Sequence, residues 1–334
     1  MIKLQKTKGK DFIVLNLSDP QLANHEWREG RIERRILTQT VDTLVSRVKP
    51  DLITVSGDLA WPCEMIAYEA ISDYLDSFGI PWAPVWGNHD NDGDADLIAR
   101  HAEIVSSRKN CIFEDGPKNL GNGNYVISIE EEGKPVSALI MMDSHNCTEI
   151  TLEDGRTRHV HEELYPEQLT WYREQTVKLK EMGCGSTAVI LHIPIRNYRD
   201  AWRAALKSGI EPQTVLPRDA TGADIWNEGY EGSFGINHEG IACPPGDNGF
   251  FDLVRELGST KYILCGHDHS DNACIKYKGV WLAFATKTGC GCDFRPYMNG
   301  GTVLTVGENG IRSLHHEYVD VSELMEEYNK KNGQ

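Results

Sequence analysis

Five short apolar runs in this chain each end on the same kind of polar word. That recurrence constrains the fold more than any other feature of the sequence. Phe12–Ser18 is followed by Asp19, Leu52–Ser56 by Gly57-Asp58, and Trp82–Trp86 by Gly87-Asn88-His89-Asp90. Ala188–His192 closes on His192 itself, and Tyr262–Gly266 leads into His267-Asp268-His269. Apolar runs of this length between longer amphipathic segments read as buried strands of βαβ units. In open α/β sheets, ligands bind outside the carboxyl ends of the strands. Five strands therefore aim Asp, Asp, Asn, His and His-x-His at one rim. Carboxylate, amide and imidazole are ligand types for divalent first-row metals, and the glycines let the backbone turn sharply before the ligands.

Each piece alone has a plainer reading. Gly-Asp occurs three times, at 57–58, 93–94 and 246–247, and Gly-Asn also three times, at 87–88, 121–122 and 123–124. Either dipeptide by itself marks a turn. A single His192 after an apolar strand reads as a satisfied core residue. His159-x-His161 lies in the polar stretch Arg156–Glu163 with no strand before it and reads as solvated loop. The ordered set of strand-GD, strand-GNHD, strand-H and strand-GHDH is what carries the metal-site reading.

The remaining periodicities fill in the architecture. Apolar residues at helical spacing predict a helix over Ile32–Val48, stopped by Pro50, and others over Glu64–Phe78, Asp94–Ser106, Pro166–Lys180 and Gly249–Leu257. Further strands are expected at Tyr125–Ile129, Ala138–Asp143, Val280–Ala285, Thr302–Val306 and Ser313–Tyr318. Strands early and late with helices between predict an α/β fold of two packed mixed β-sheets flanked by helices. One domain over 1–320 is expected, with a long Gly-rich loop or lid at about 196–245 and a polar C-terminal tail over 321–334.

Charge and composition narrow the function. Lys plus Arg is 34 and Asp plus Glu is 50, a net charge of −16. Such a chain repels polyanions, and no basic run with interleaved aromatics occurs, so a long nucleic acid is not an expected partner. No apolar run reaches the 18 residues or more of a membrane span, so no membrane partner is expected. Phe12–Leu17 is too short for the apolar region of an export signal, and no small-residue cleavage site follows, so a cytoplasmic location is expected. The nine cysteines are then reduced thiols, and Cys290-Gly291-Cys292 is a weak hint of redox or metal chemistry. The sequence leaves the oligomeric state open.

The order D…GD…GNHD…H…GHxH resembles the calcineurin-like metallophosphoesterase superfamily over about Phe12 to Val306. Ile80–Asp90, His192-Ile193-Pro194, Asn248-Gly249-Phe250-Phe251 and Cys265–His269 are similar to the bacterial, fungal and plant metallophosphoesterases related to purple acid phosphatases. The resemblance implies the four-layer sandwich of that superfamily. True purple acid phosphatases carry an iron-binding Tyr where this chain has Trp61, so no purple charge-transfer colour is expected.

The resemblance implies two divalent metal ions and a small phosphate-ester substrate. Asp58 would bridge the ions, Asp19 and His269 would hold the first, and Asn88, His192 and His267 the second. The family usually places a His two residues after the first Asp, and here that residue is Gln21. Gln21 either binds the first ion weakly or orients a water. An amide oxygen is a harder and weaker ligand than imidazole, so Mn²⁺ or Fe²⁺ is favoured over Zn²⁺. Two-metal chemistry implies attack on phosphorus by a metal-bridging hydroxide. His89 would protonate the leaving oxygen or stabilise charge in the transition state. Asp90 would orient His89 or cap the following helix, and Asp268 would support the ligands beside it. Asn91, His145, Asn146, Arg196 and Tyr198 are expected near the rim, and His25 and Trp27 near its entrance. A phosphate mono- or diesterase is the expected function. A small-nucleotide or cyclic-nucleotide diesterase and a catalytically silent scaffold are the alternatives.

Overall fold

In the computed structural model, which describes residues 1–332 apart from Gly93 and Glu153, the chain runs through fourteen strands and seven α-helices among the described residues. In order these are β1 (Ile2–Gln5), β2 (Phe12–Leu17), α1 (Ile32–Val48), β3 (Leu52–Ser56), α2 (Met65–Asp76), β4 (Trp82–Val85), α3 (Ala95–Ser106), β5 (Tyr125–Glu131), β6 (Lys134–Met141), β7 (Cys147–Thr151), β8 (Thr157–His161), α4 (Pro166–Glu181), β9 (Ser186–Ile190), α5 (Asn197–Ala205), α6 (Phe250–Leu257), β10 (Thr260–Cys265), β11 (Cys274–Tyr277), β12 (Val280–Phe284), β13 (Gly300–Gly307), β14 (Gly310–Tyr318) and α7 (Ser322–Asn332). Every strand and helix expected from periodicity is present, with ends shifted by up to a few residues. The expected helix at 94–106 begins at Ala95, because Asp94 is its N-cap and accepts from the Asp96 N–H. Gly93 of the second Gly-Asp pair lies outside the described residues.

The strands form two mixed sheets. One has seven strands in the order β1-β5-β6-β9-β10-β12-β11, the other five in the order β14-β13-β2-β3-β4. Period-two burial explains why they stack. Leu52 of β3 and Ile190 of β9 point into the space between the sheets, with Val14, Val85, Leu139 and Leu264. Ile53 and Val55 point the other way, onto Ile36 and Leu44 of α1, Ile71 of α2 and Val105 of α3. Val189 and Ile263 likewise point onto Tyr172 of α4, Ala201 of α5 and Val254 of α6. The layers are therefore helices, five-stranded sheet, seven-stranded sheet, helices. Sequence governs the ends too: Lys49 closes α1 in the left-handed conformation at φ 50°, and Pro50 forbids another turn.

Two segments depart from expectation. The stretch 196–245 is no free lid. It opens with α5 and buries Ile225, Trp226, Ile236, Ile241 and Cys243 against the helix-side core of the seven-stranded sheet. Its apolar residues are spaced by contact with distant elements, so no local period marks them. In the expected tail, Ser322–Asn332 forms α7, and Leu324, Met325 and Tyr328 pack on the helix-side core of the five-stranded sheet, while 333–334 lie outside the described residues. No helix among the described residues is long and apolar enough to cross a membrane.

His101 on α3 is wholly buried and stacks on Tyr68, ring centroids 3.5 Å apart. Burial pushes its imidazole down to about 4. The unfolded chain, with an ordinary value near 6.5, binds a proton that the folded chain refuses. Stability is therefore lost as pH falls from about 6.5 to about 4, at up to about 1.4 kcal/mol per pH unit for this one proton. The thermal midpoint, measured with chelator present, should drop over that interval, and H101F should flatten the drop.

Candidate metal centre

The three parallel strands β2, β3 and β4 and the parallel pair β9 and β10 deliver the polar words to one place. The backbone turns abruptly at each delivery. Asp19, Gln21, Asp58 and His267 all adopt positive φ, between 47° and 76°. That region is costly for residues with a Cβ, and such strain gathers at functional sites.

The donor atoms then converge. Asp19 Oδ1 lies 3.5 Å from His269 Nε2 and 3.9 Å from His192 Nδ1. His192 Nε2 lies 3.1 Å from Asn88 Oδ1, 3.2 Å from His267 Nδ1 and 3.4 Å from Asp58 Oδ2. Asp19, Asp58 and His269 each offer a ligand atom within 4.8 Å of the others. All six residues in question therefore meet. Asp19, Asp58 and His192 are each at most 1% exposed.

This donor set fits divalent cations. Ser56 C=O can only accept, so the 2.8 Å contact puts the His192 proton on Nδ1 and leaves Nε2 as a lone pair facing other acceptors. Asp19 Oδ1 is buried and accepts no hydrogen bond, an orphan that a native core rarely tolerates. Burial alone would depress the His192 imidazolium, but Asp58 and Asp19 outweigh it and raise it to about 10. The same pairing, against the burial that raises them, holds both carboxyls below their usual range. A site that binds a proton this tightly at a metal-type imidazole is built for positive charge, and metal uptake would release that proton.

The scaffolding around the donors is specific. Asp58 Oδ1 accepts from His89 N at 2.9 Å, and Asp19 Oδ2 accepts from Ser18 Oγ and from His267 N. Asp90 does not reach His89 and does not cap α3, contrary to both expectations. It accepts from the backbone N–H groups of Asp58, Leu59 and Gly87 and from the Tyr68 hydroxyl. Burial, then the charge of Asp58, pushes its carboxyl up to about 7. Asp90 is thus a strut that ties the loop after β3 to the loop after β4. The partner of His89 is Asp92, whose Oδ1 lies 3.0 Å from Nδ1, and the ring packs beside Trp61. The three-residue spacing across a 3₁₀ turn at Asn88–Asp90 is the signal that could have found it.

Gln21 sits in the centre but presents its nitrogen to it. Its Nε2 donates to Asp58 Oδ2 at 2.8 Å, and its Oε1 accepts from Lys287 Nζ at 2.9 Å. Lys287 also donates to the Asp19 carbonyl at 2.7 Å and is 3% exposed. An ammonium has no lone pair to share, which fixes the amide in this orientation. Lys287 follows β12 as the other polar residues follow their strands, a repeat of the pattern that the sequence reading passed over.

His159-x-His161 is corrected as well. These residues lie on β8, which pairs with β7, Cys147 opposite His161. His161 Nε2 is 3.3 Å from His267 Nε2. The hairpin is mostly exposed and polar, so it carries no hydrophobic alternation to betray it. Of the expected rim residues, Asn146 donates to the Asn88 carbonyl and to Asn91 Oδ1, at the centre's edge. Arg196, paired with Asp200, lines an adjoining shallow cleft with Ser144, Glu162, Ile193 and Asn248. Tyr198 is core, 2% exposed, with its hydroxyl on the Ile263 carbonyl. His145 stacks on Tyr165, and Trp27 packs toward the helix-side core, while His25 is exposed. Asp268 accepts from Ala242 N and so anchors the 196–245 segment. Cys290 and Cys292 are free thiols.

The sequence model of a family described as calcineurin-like phosphoesterase matches residues 13–271. The phosphatase DCR2 of Saccharomyces cerevisiae is 24% identical over 347 residues, covering 93% of this chain and 54% of its own. The "Probable inactive purple acid phosphatase 14" of Arabidopsis thaliana is 27% identical over 282 residues, covering 75% of this chain and 62% of its own. The chain thus spans less than two-thirds of the length of these two relatives. The crystal structure of a dimetal phosphatase from Danio rerio matches with a TM-score of 0.56 at 12% identity, over 93% of this chain and 99% of that one, a likeness of fold.

A Cβ at Gly87 would lie 2.6 Å from Asp58 N and 2.8 Å from its carboxyl carbon. G87A should therefore displace the Asp58 carboxylate and lower divalent-metal affinity by about tenfold or more. Elemental analysis after equilibrium dialysis, with circular dichroism as the control for folding, checks this.

Proposed function

The chain belongs to the calcineurin-like phosphoesterase family, and we propose that it is a di-metal phosphoesterase acting on small phosphate mono- or diesters. One observation carries the reading: six donor side chains from five strand ends meet, and among them the buried Asp19 Oδ1 accepts no hydrogen bond. Asp19, His269 and Asp58 would hold one ion, and Asn88, His192, His267 and Asp58 the other. With carboxylate oxygens prominent around the first ion, Mn²⁺ or Fe²⁺ is favoured over Zn²⁺. Two such ions supply Lewis acidity toward the phosphoryl oxygens and acidify water to a nucleophile near neutral pH.

The protein's own residues do the rest. His89 is about one-third exposed, so its ring meets the substrate side of the centre. Asp92 accepts from Nδ1–H, which orients the ring. Nε2–H is then the proton donor for the leaving oxygen. Trp61 at 5.0 Å holds the other face of that ring. Gln21 serves the centre by steadying Asp58 rather than as a ligand. The charge of −16 disfavours long polyanions but not a small ester.

Purified protein with Mn²⁺ should hydrolyse p-nitrophenyl phosphate or its bis ester well above background. The ratio of the two rates assigns mono- or diesterase. Hydrolysis at the background rate on both would favour the catalytically silent scaffold. H89A should lose about 10²–10⁴-fold in kcat while retaining both ions. Full turnover by H89A would remove His89 from the mechanism.

A further inference from the structure

The β7–β8 hairpin stands outside both large sheets and is fastened to the metal centre at its base. Glu162 N donates to the Asn146 carbonyl, Asn146 N donates to Glu162 Oε2, and Asn146 Nδ2 donates to the carbonyl of Asn88. The first pair of the hairpin, Cys147 and His161, faces the centre. His161 Nδ1 is 3.2 Å from Cys147 Sγ, and His161 Nε2 is 3.3 Å from His267 Nε2. The two imidazoles stand perpendicular, with centroids 4.7 Å apart.

Hydrogen placement along this row follows from one end. His267 turns Nδ1 toward His192 Nε2, the atom that also lies within 3.4 Å of Asn88 Oδ1 and Asp58 Oδ2. If Nδ1 is the metal-binding atom, a neutral His267 carries its proton on Nε2. That N–H points at His161 Nε2, which must then be the acceptor. The proton of a neutral His161 is thereby placed on Nδ1, directed at the Cys147 sulfur. Metal-binding histidines ordinarily give their second N–H to a carboxylate, carbonyl or water, which fixes tautomer and ring orientation. We propose that His161, held by Cys147, takes that part here as a positioning residue for His267, and so tunes the affinity of the second ion. The assignment rests on the di-metal reading of the site and adds to it a residue from outside the two sheets.

The test uses the full chain and Zn²⁺ alone. Long-range ¹⁵N–¹H correlation spectra of the Zn²⁺-loaded protein should show the proton of His267 on Nε2 and that of His161 on Nδ1. H161F keeps the ring but has no acceptor, whereas H161Q offers an amide oxygen to His267. H161F should weaken the second Zn²⁺ by about 10–100-fold in chelator competition, leave the first unchanged, and leave the thermal midpoint of the metal-free protein near that of wild type. H161Q should recover most of that affinity. Wild-type affinity in H161F, equal losses in both variants, or a His267 proton on Nδ1 would overturn the assignment alone. A wild-type chain that takes up no Zn²⁺ would overturn the di-metal reading and this assignment with it.

Discussion

Two carboxylates, Asp19 and Asp58, are buried side by side where the ends of the two sheets meet. Taking one such charge out of water costs several kcal/mol after relaxation, so the pair survives only with compensating positive charge. His192 and Lys287 crowd around it for that reason, with His269 beside Asp19. The electrostatics explains both the raised His192 imidazolium and the lowered carboxyls as one coupled demand. Divalent cations meet that demand better than protons do, because several acceptor atoms share each charge.

The fold serves this pair by bringing rigid strand ends to it. Each donor sits two to four residues beyond a strand whose side chains lock into the inter-sheet and helix-side cores. Loops alone would not hold donor atoms within about 0.5 Å of a working geometry. Asp90 completes the frame by accepting three backbone N–H groups from two of these loops. Its remaining partner is the Tyr68 hydroxyl. The glycines beside it are required by space: the backbone of Asp58 occupies the volume a side chain at Gly87 would need.

Gln21 and Lys287 give the departure from the family's usual His a structural sense. A neutral amide next to a buried ammonium relays charge toward Asp58, with hydrogen bonds at both ends. Asp58 and the Asp19 carbonyl are thereby held by an amide and a buried lysine. The side around His192 is the richer in nitrogen, with His267 beside it and His161 behind. The two sides of the centre are chemically unlike.

The sequence by itself determined the layered α/β architecture, the strand ends and the six converging donors. Apolar period and strand-terminal polar words are local signals, and a buried parallel strand needs both. It did not determine the partners of those donors. Asp90 turned out to be a strut, Asp92 the companion of His89, Lys287 the companion of Gln21, and His161 a neighbour of His267. Each of these pairings is a meeting of atoms across a turn, between strand ends, or from an exposed hairpin. Hydrogen-bond partnership depends on distances of a few tenths of an ångström and on which acceptor is nearest. Residue spacing along the chain carries no such information, so only the tertiary structure could decide it. The same holds for 196–245, whose apolar residues find their period only against the sheet they cover.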